Sequence, residues 1–206
     1  FMRQHPSAGI AGPRLLNGDG SLQPSCRKFM KSRYLVLKHL LPWKFLPNSW
    51  KRRFVLEYWD HESTTRVDWI IGACLLARRE AVNEVGIKDE DFPMFHEETD
   101  WCYRMIQKGW ETWFLHSASV THLGSQFTSR YWGDDLILEF YKGKHRFIRK
   151  HFGISALLLH RILLAYLLLV RLLLLYAGRI FGGREDFQRK RRFLLKGVAV
   201  QMGLGG

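Results

Sequence analysis

The segment FHEETDWCYR, residues 95–104, brings three acids together at a predicted helix start. Glu97, Glu98 and Asp100 would occupy the first helical turn, where free amide groups and the positive end of the helix dipole favour carboxylates. That arrangement alone would only stabilise the helix. Apolar side chains also crowd the segment, namely Phe92, Met94, Phe95, Trp101 and Tyr103. At the rim of such an apolar wall a carboxylate is ionised yet only partly hydrated, as a general base requires. Both interpretations stay open at this point.

Two further places could bind a ligand. His122 follows a short predicted strand and precedes Gly124 and Ser125, and strand ends are where open α/β sheets usually bind ligands. A single His can equally be structural, and one His does not make a metal site. Asp68 precedes an apolar run that contains Gly72 and Ala73. A Gly inside a strand often marks the close approach of a ligand, although core packing explains it equally well.

The elements that would position these residues alternate between strand and helix. We predict a buried strand at 8–12, a turn at 17–20, and a strand buried on both faces at 69–77. The next segment, RREAVNEV, reads as a short helix that Gly86 caps, and 97–108 as a helix that Gly109 caps. Strands at 112–115 and 119–121 follow. The predicted class is α/β. For residues 26–66 we predict a long loop with a short amphipathic helix at 34–41. Either this helix contacts a membrane, or the whole loop packs on the surface of the protein.

Composition and charge narrow the class of protein. Apolar residues make up 47% of the 206 residues and aromatic residues 14%, which excludes a disordered chain. The three cysteines form no CxxC pair, which fits a reducing compartment and argues against a disulfide framework or a zinc site. The net charge is +13, and residues 142–196 alone carry 14 Lys or Arg against two acids. Basic charge of this kind attracts anionic lipid headgroups or nucleic acid.

A leucine-rich run beside this charge favours lipid over nucleic acid. Residues 155–178 are apolar apart from His160, Arg161 and Arg171, and this length suffices to cross a hydrocarbon core of roughly 30 Å. Each Arg near the centre of a bilayer costs about 2.5 to 3.5 kcal/mol. Three placements therefore stay open: a helix partly sunk into the membrane surface, a true span, and a buried core helix. We predict no nucleic-acid partner.

Three ordered motifs resemble one enzyme family. The segments VDWIIGACLLARREAVNEVG, FHEETDWCYRMIQKGW and VTHLGS resemble the C-terminal half of family 2 glycosyltransferases, which are inverting GT-A enzymes, and in particular their rhamnosyltransferase-like members. The resemblance covers about residues 5 to 150. It implies a partial GT-A domain over 1–150, followed by a hydrophobic helix and basic membrane-associated tail over 151–206.

The resemblance also implies roles for individual residues. The second acid of the family's acidic pair corresponds to Glu98, which would remove the proton from the acceptor hydroxyl. Glu97 is its partner, and Asp100 would hold the acceptor or orient the base. The implied substrate-binding residues are Asp68, Gly72, Ala73, Trp101 and Arg104, with Trp101 offering a face to a sugar ring. His122 corresponds to a position that completes a divalent-metal shell in some relatives.

The expected activity is transfer of a sugar from a nucleotide-sugar to a lipid-linked or polysaccharide acceptor, in cell-surface polysaccharide synthesis. The expected metal is Mg²⁺ or Mn²⁺, with its main Asp-x-Asp ligands outside this chain. Since the family's nucleotide-binding half has no counterpart here, we expect a truncated fragment with little activity of its own. The expected location is the cytoplasmic face of the inner membrane, against an anionic surface. The alternative is a non-catalytic membrane-associated partner of a polysaccharide-assembly complex.

Overall fold

The computed structural model describes residues 1–29, 59–124, 136–177 and 184–203. The chain divides into two compact units, Phe1–Phe127 and Thr128–Gly206. The first unit is mixed α/β, and the second is helical. The strands are β1 (Ala8–Leu16), β2 (Leu22–Gln23), β3 (Cys26–Arg27), β4 (Thr65–Val67), β5 (Trp69–Ile70), β6 (Leu76–Ala77) and β7 (Glu111–Thr121). The helices are α1 (Arg79–Val85), α2 (Glu97–Gln107), α3 (Leu136–Ala177) and α4 (Arg184–Met202).

The first unit is organised around the long strand β1. One edge of β1 pairs in parallel with β7, and the opposite edge pairs antiparallel with β2 and β6. Strand β4 continues the sheet beyond β7, while β3 and β5 form a separate two-stranded sheet. Helices α1 and α2 bury Ala81, Trp101, Cys102 and Met105 against Ile10 of β1. Residues 8–12 of β1 are all buried, so this end of the strand can be apolar on both faces.

Several predicted elements are confirmed. The strand predicted at 8–12 exists and continues to Leu16, and the turn after it closes with a 2.9 Å hydrogen bond from Gly20 N to Asn17 O. Helix α1 ends at Gly86, whose φ is 86°, and α2 is followed by Gly109 with φ 85°. Both glycines have a positive φ, which residues with a Cβ adopt only at a steric cost. The helix predicted at 34–41 lies outside the described residues.

Two strand predictions were wrong. Residues 69–77 do not form one strand buried on both faces, because β5 pairs with β3, a turn follows, and β6 pairs with β1 in the other sheet. Leu76 is 59% exposed. An apolar run has no period that marks such a change of sheet. The strands predicted at 112–115 and 119–121 form one strand, β7, in which an irregularity separates the pairs Pro13–Leu115 and Arg14–Ser119.

The second unit consists of helices folded against each other. Helix α3 is interrupted at Gly153, whose φ of 83° and ψ of 178° are not helical, and this kink divides it into an N-terminal and a C-terminal segment. The leucine-rich run predicted from the sequence forms the C-terminal segment as far as Ala177. Within the described residues one stretch, Leu138–Ala177, is long and apolar enough to cross a membrane. Length and composition alone support this, and the core helix of a soluble protein can meet the same criteria.

Candidate functional site

The two glutamates at the start of α2 meet the turn that follows β5. A Cβ placed on Gly72 would lie 3.5 Å from Glu97 Oε1 and 3.6 Å from Glu98 Cβ. It would also lie 3.5 Å from Lys88 Nζ, which is 3.8 Å from Glu97 Oε1. These are ordinary van der Waals distances, so a side chain larger than a single methyl group would fill this space. We call the group of Gly72, Lys88, Glu97 and Glu98 the acidic cleft.

Glu98 is the buried member of the acidic cleft. Only 9% of the residue is exposed, and removal from water raises the pKa of its carboxyl to about 8. The charge of neighbouring Glu97 raises the pKa further, while the backbone N–H of Glu98 and the charge of Lys88 act in the opposite direction. The carboxylate that such a group forms on losing its proton is a stronger base than the carboxylate of an exposed glutamate. It also exchanges protons near neutral pH, as a general acid or base does.

The backbone that enters α2 is strained. Phe95 and His96 have φ values of 62° and 66°, in the left-handed region that residues with a Cβ rarely adopt. The carbonyl of His96 nevertheless accepts a 2.8 Å hydrogen bond from Asp100 N and so closes the first helical turn. Two consecutive residues of this kind cost a few kcal/mol, and such strain concentrates at functional sites. The strained pair directly precedes Glu97 and Glu98 in the chain.

The three other α2 residues predicted to act on substrate connect α2 to the end of α1. Asp100 is fully buried and accepts a 2.7 Å hydrogen bond from Arg104 Nε. Arg104 also donates to Val85 O and Ile87 O, and Trp101 Nε1 donates to Gly86 O at 2.8 Å. Their described contacts are therefore structural. Trp101 is 9% exposed, which leaves little of its ring for a sugar.

The substrate-binding residues predicted before and after β5 lie in different surroundings. Asp68 Oδ2 accepts a 2.7 Å hydrogen bond from Phe29 N and joins β5 to the end of the described segment after β3. Ala73 is exposed in the same turn as Gly72. The structure thus places Gly72 against the acids and Ala73 next to it in the same turn, while the described contact of Asp68 is with the backbone.

His122 lies just beyond β7 and contacts the β1–β2 region. Its Nδ1 is 2.7 Å from Gln23 Oε1, and its backbone N–H donates to Leu16 O. These described contacts are not with the acidic cleft. The described ranges contain no cluster of three or more His, Cys, Asp or Glu side chains placed to bind a metal ion. His122 could supply a single ligand, and a complete metal shell would need donors other than these described residues.

The sequence analysis did not identify Lys88 as a site residue. It lies between two helices and precedes the acids Asp89, Glu90 and Asp91, a pattern typical of a solvated loop. Only the folded chain brings its ammonium group to Glu97. The acidic cleft therefore combines a buried carboxyl group, a second carboxylate next to a cation, and an open space at Gly72. These groups can accept a proton from a hydroxyl and hold the polar atoms around it.

Comparison with known proteins relates part of this chain to a sugar transferase. Over 126 residues, 61% of this chain, the sequence is 36% identical to N-acetylglucosaminyl-diphospho-decaprenol L-rhamnosyltransferase from two strains of Mycobacterium tuberculosis. The matched part spans 40% of the length of these curated relatives. No family model matches the chain. No solved structure matches it significantly either. The chain is thus similar, over three fifths of its length, to part of a rhamnosyltransferase.

Proposed function

We propose that this chain is part of a glycosyltransferase that transfers a sugar, with rhamnose as the first candidate, from a nucleotide-sugar to a hydroxyl of a lipid-linked acceptor. The similarity to the rhamnosyltransferase of Mycobacterium tuberculosis supports this class of reaction. The structural observation that supports the location of the active site is the acidic cleft. It places a buried carboxyl group with a pKa of about 8 beside an open space at Gly72.

In this proposal Glu98 is the base. Its carboxylate takes the proton of the acceptor hydroxyl as the hydroxyl oxygen bonds to the anomeric carbon of the donor. The hydroxyl attacks from the face opposite the diphosphate, so the anomeric configuration is inverted as the bond from that carbon to the diphosphate breaks and the diphosphate leaves with the electron pair. Glu97 and Lys88 face the same space and would orient the hydroxyl. Since Glu98 is largely buried, the acceptor must approach along the turn at Gly72 and Ala73.

We assign Phe1–Phe127 to the C-terminal portion of a GT-A domain, on the sequence resemblance and the parallel pairing of β1 with β7. When bound, Mg²⁺ or Mn²⁺ would neutralise the charge of the leaving diphosphate. His122 could supply one ligand, and Asp-x-Asp ligands would come from outside the described residues. The site would face the cytoplasm, where nucleotide-sugars are made available to membrane-bound acceptors.

The test is a transfer assay with the product of the whole gene, so that any residues beyond this chain are included. Membranes from cells that express it are given a panel of nucleotide-sugars, with Mg²⁺ or Mn²⁺, and a polyprenyl-diphosphate-linked N-acetylglucosamine acceptor. We expect one donor, with deoxythymidine diphosphate-rhamnose tested first, to give a lipid-linked disaccharide. The matched control is the same preparation from cells with an empty vector. Absence of transfer from every donor would contradict the proposal and favour a non-catalytic role.

A further inference from the structure

The second unit presents a continuous apolar surface on one side of a helix. In the C-terminal segment of α3, five exposed residues recur at intervals of three or four and so lie on one face: Leu158, Ile162, Tyr166, Leu169 and Leu173. This set is named the apolar stripe. The opposite face is buried, and Leu164 and Leu168 pack there against Leu194 of α4. The segment is therefore apolar on two faces, and only one of them is covered within the described unit.

Two helices pack along the covered face, both antiparallel to the C-terminal segment of α3. For α4, Tyr176 meets Phe187 at a ring distance of 5.3 Å, and Gly197 lies against Leu168. At the other end Arg161 Nε donates a 2.6 Å hydrogen bond to Gln201 O. The N-terminal segment of α3 also folds back, because His145 lies 5.9 Å from His160 and Tyr141 packs against the Leu164–Leu168 cluster.

Both flanking helices are strongly basic. The N-terminal segment of α3 carries one acid, Glu139, which is 3.1 Å from Lys142, against five cationic residues, Lys142, Lys144, Arg146, Arg149 and Lys150. The sequence of α4 includes Arg184, Arg189, Lys190, Arg191, Arg192 and Lys196. Across 142–196 the acids are two, Glu185 and Asp186. A spanning C-terminal segment would carry these antiparallel helices, and their charges, into the hydrocarbon core, where charged side chains are strongly disfavoured.

We infer that the unit Thr128–Gly206 binds an anionic lipid bilayer from one side, with the apolar stripe embedded among the acyl chains and Leu138–Ala177 not crossing the membrane. In that position the segment lies along the interface and buries one face, as amphipathic surface helices do. The cations of the flanking helices then stay at the level of the anionic headgroups, which attract them. Of the most apolar stretch of α3, 28% is buried in the structure, so most of this stretch is accessible to lipid. This inference rests on the helical unit alone and does not depend on the proposed function.

The first experiment measures binding of the full chain to vesicles of phosphatidylcholine, with and without phosphatidylglycerol. We expect binding to the anionic vesicles that weakens as salt is added. The variant I162N/L173N should bind at least about tenfold more weakly, because burying one aliphatic side chain changes an equilibrium constant by that factor or more. The matched control is Ile87→Asn: Ile87 is 69% exposed, as against 68% for Ile162, but lies in the first unit. Equal binding by both variants would overturn the inference.

A second experiment distinguishes lying from crossing. A fluorophore is attached to a cysteine introduced at position 158, 166 or 173, in a chain with Cys74→Ser, and lipids with quenchers at different depths report its position. If the segment lies flat, the three labels sit at one depth. If it crosses, the label at 166 is about 10 Å deeper than the other two, given a rise of 1.5 Å per residue. The second pattern would overturn the inference. The inference would also be overturned if sedimentation showed that the apolar stripe joins two copies of the chain and if the chain did not bind vesicles.

Discussion

Arg104 follows Asp100 by one helical turn, and its Nε donates a 2.7 Å hydrogen bond to the fully buried carboxylate of Asp100. The same guanidinium group donates to Val85 O and Ile87 O beyond the end of α1. The pair thus connects the helix that bears Glu97 and Glu98 to residues 85–87 at the end of α1, which we call the α1 corner. A substitution of Arg104 or Asp100 should therefore lower stability rather than weaken substrate binding.

We predict that Arg104→Met lowers the free energy of unfolding by about 3 kcal/mol, because it leaves the Asp100 carboxylate buried without its cation. Arg104→Lys keeps a positive charge but loses the fork that reaches two carbonyl groups, so its loss should be intermediate. Urea denaturation of the purified chain measures both. If either variant unfolds like the wild type while KM for a substrate rises, Arg104 binds substrate, as the sequence alone suggested.

Glu98→Gln should lower kcat for sugar transfer at least about a hundredfold, because it removes the group proposed to take the proton. Glu97→Gln should affect transfer less, since Glu97 is assigned to orientation. The control is Glu80→Gln, another acid in the first turn of a helix, but on the exposed side of α1. The measurement is initial rate in the whole-gene preparation. Equal rates for Glu98→Gln and Glu80→Gln would mean that the acids only stabilise the start of α2.

The pH dependence of stability should identify Glu98 independently of any substrate. Its folded-state pKa is about 8, above the ordinary value of 4.5, so the folded chain holds a proton that the unfolded chain loses between these values. The free energy of unfolding should therefore fall as pH rises from about 4.5 to 8. Glu98→Gln cannot lose this proton, and its stability relative to the wild type should increase over the same range.

Urea denaturation at pH 5, 6.5 and 8 measures this difference, with Glu80→Gln as the control that keeps the wild-type slope. A constant difference between Glu98→Gln and the wild type across this range would contradict the burial that raises the Glu98 pKa.

Gly72 should tolerate Ala but not Val. A Cβ at this position makes ordinary contacts of 3.5 to 3.6 Å with Glu97, Glu98 and Lys88, whereas the two methyl groups of Val would enter the acidic cleft. Gly72 is exposed in a turn, so both variants should fold. We expect Gly72→Val to lower kcat/KM about tenfold or more relative to Gly72→Ala. Equal melting temperatures of the two variants would show that this difference does not come from a loss of folding. Equal kcat/KM values would place the acceptor elsewhere.

The sequence by itself determined the local elements with clear signals. Glycines that can take a positive φ marked the ends of α1 and α2 at Gly86 and Gly109, and the acids marked the start of α2. The leucine run likewise predicted the apolar helix that ends at Ala177. These features depend on propensities of neighbouring residues, which is why a sequence can report them.

Tertiary structure decided what depends on residues distant along the chain. It divided the apolar run at 69–77 between two sheets, because pairing partners and not hydrophobicity select a strand's sheet. It buried Asp100 and Trp101 against the α1 corner, and it brought Lys88 and Gly72 to the two glutamates. The Glu98 pKa follows from that burial and from the charge of Glu97. Desolvation by surrounding chain is a property of the fold, and no local pattern around HEETD records it.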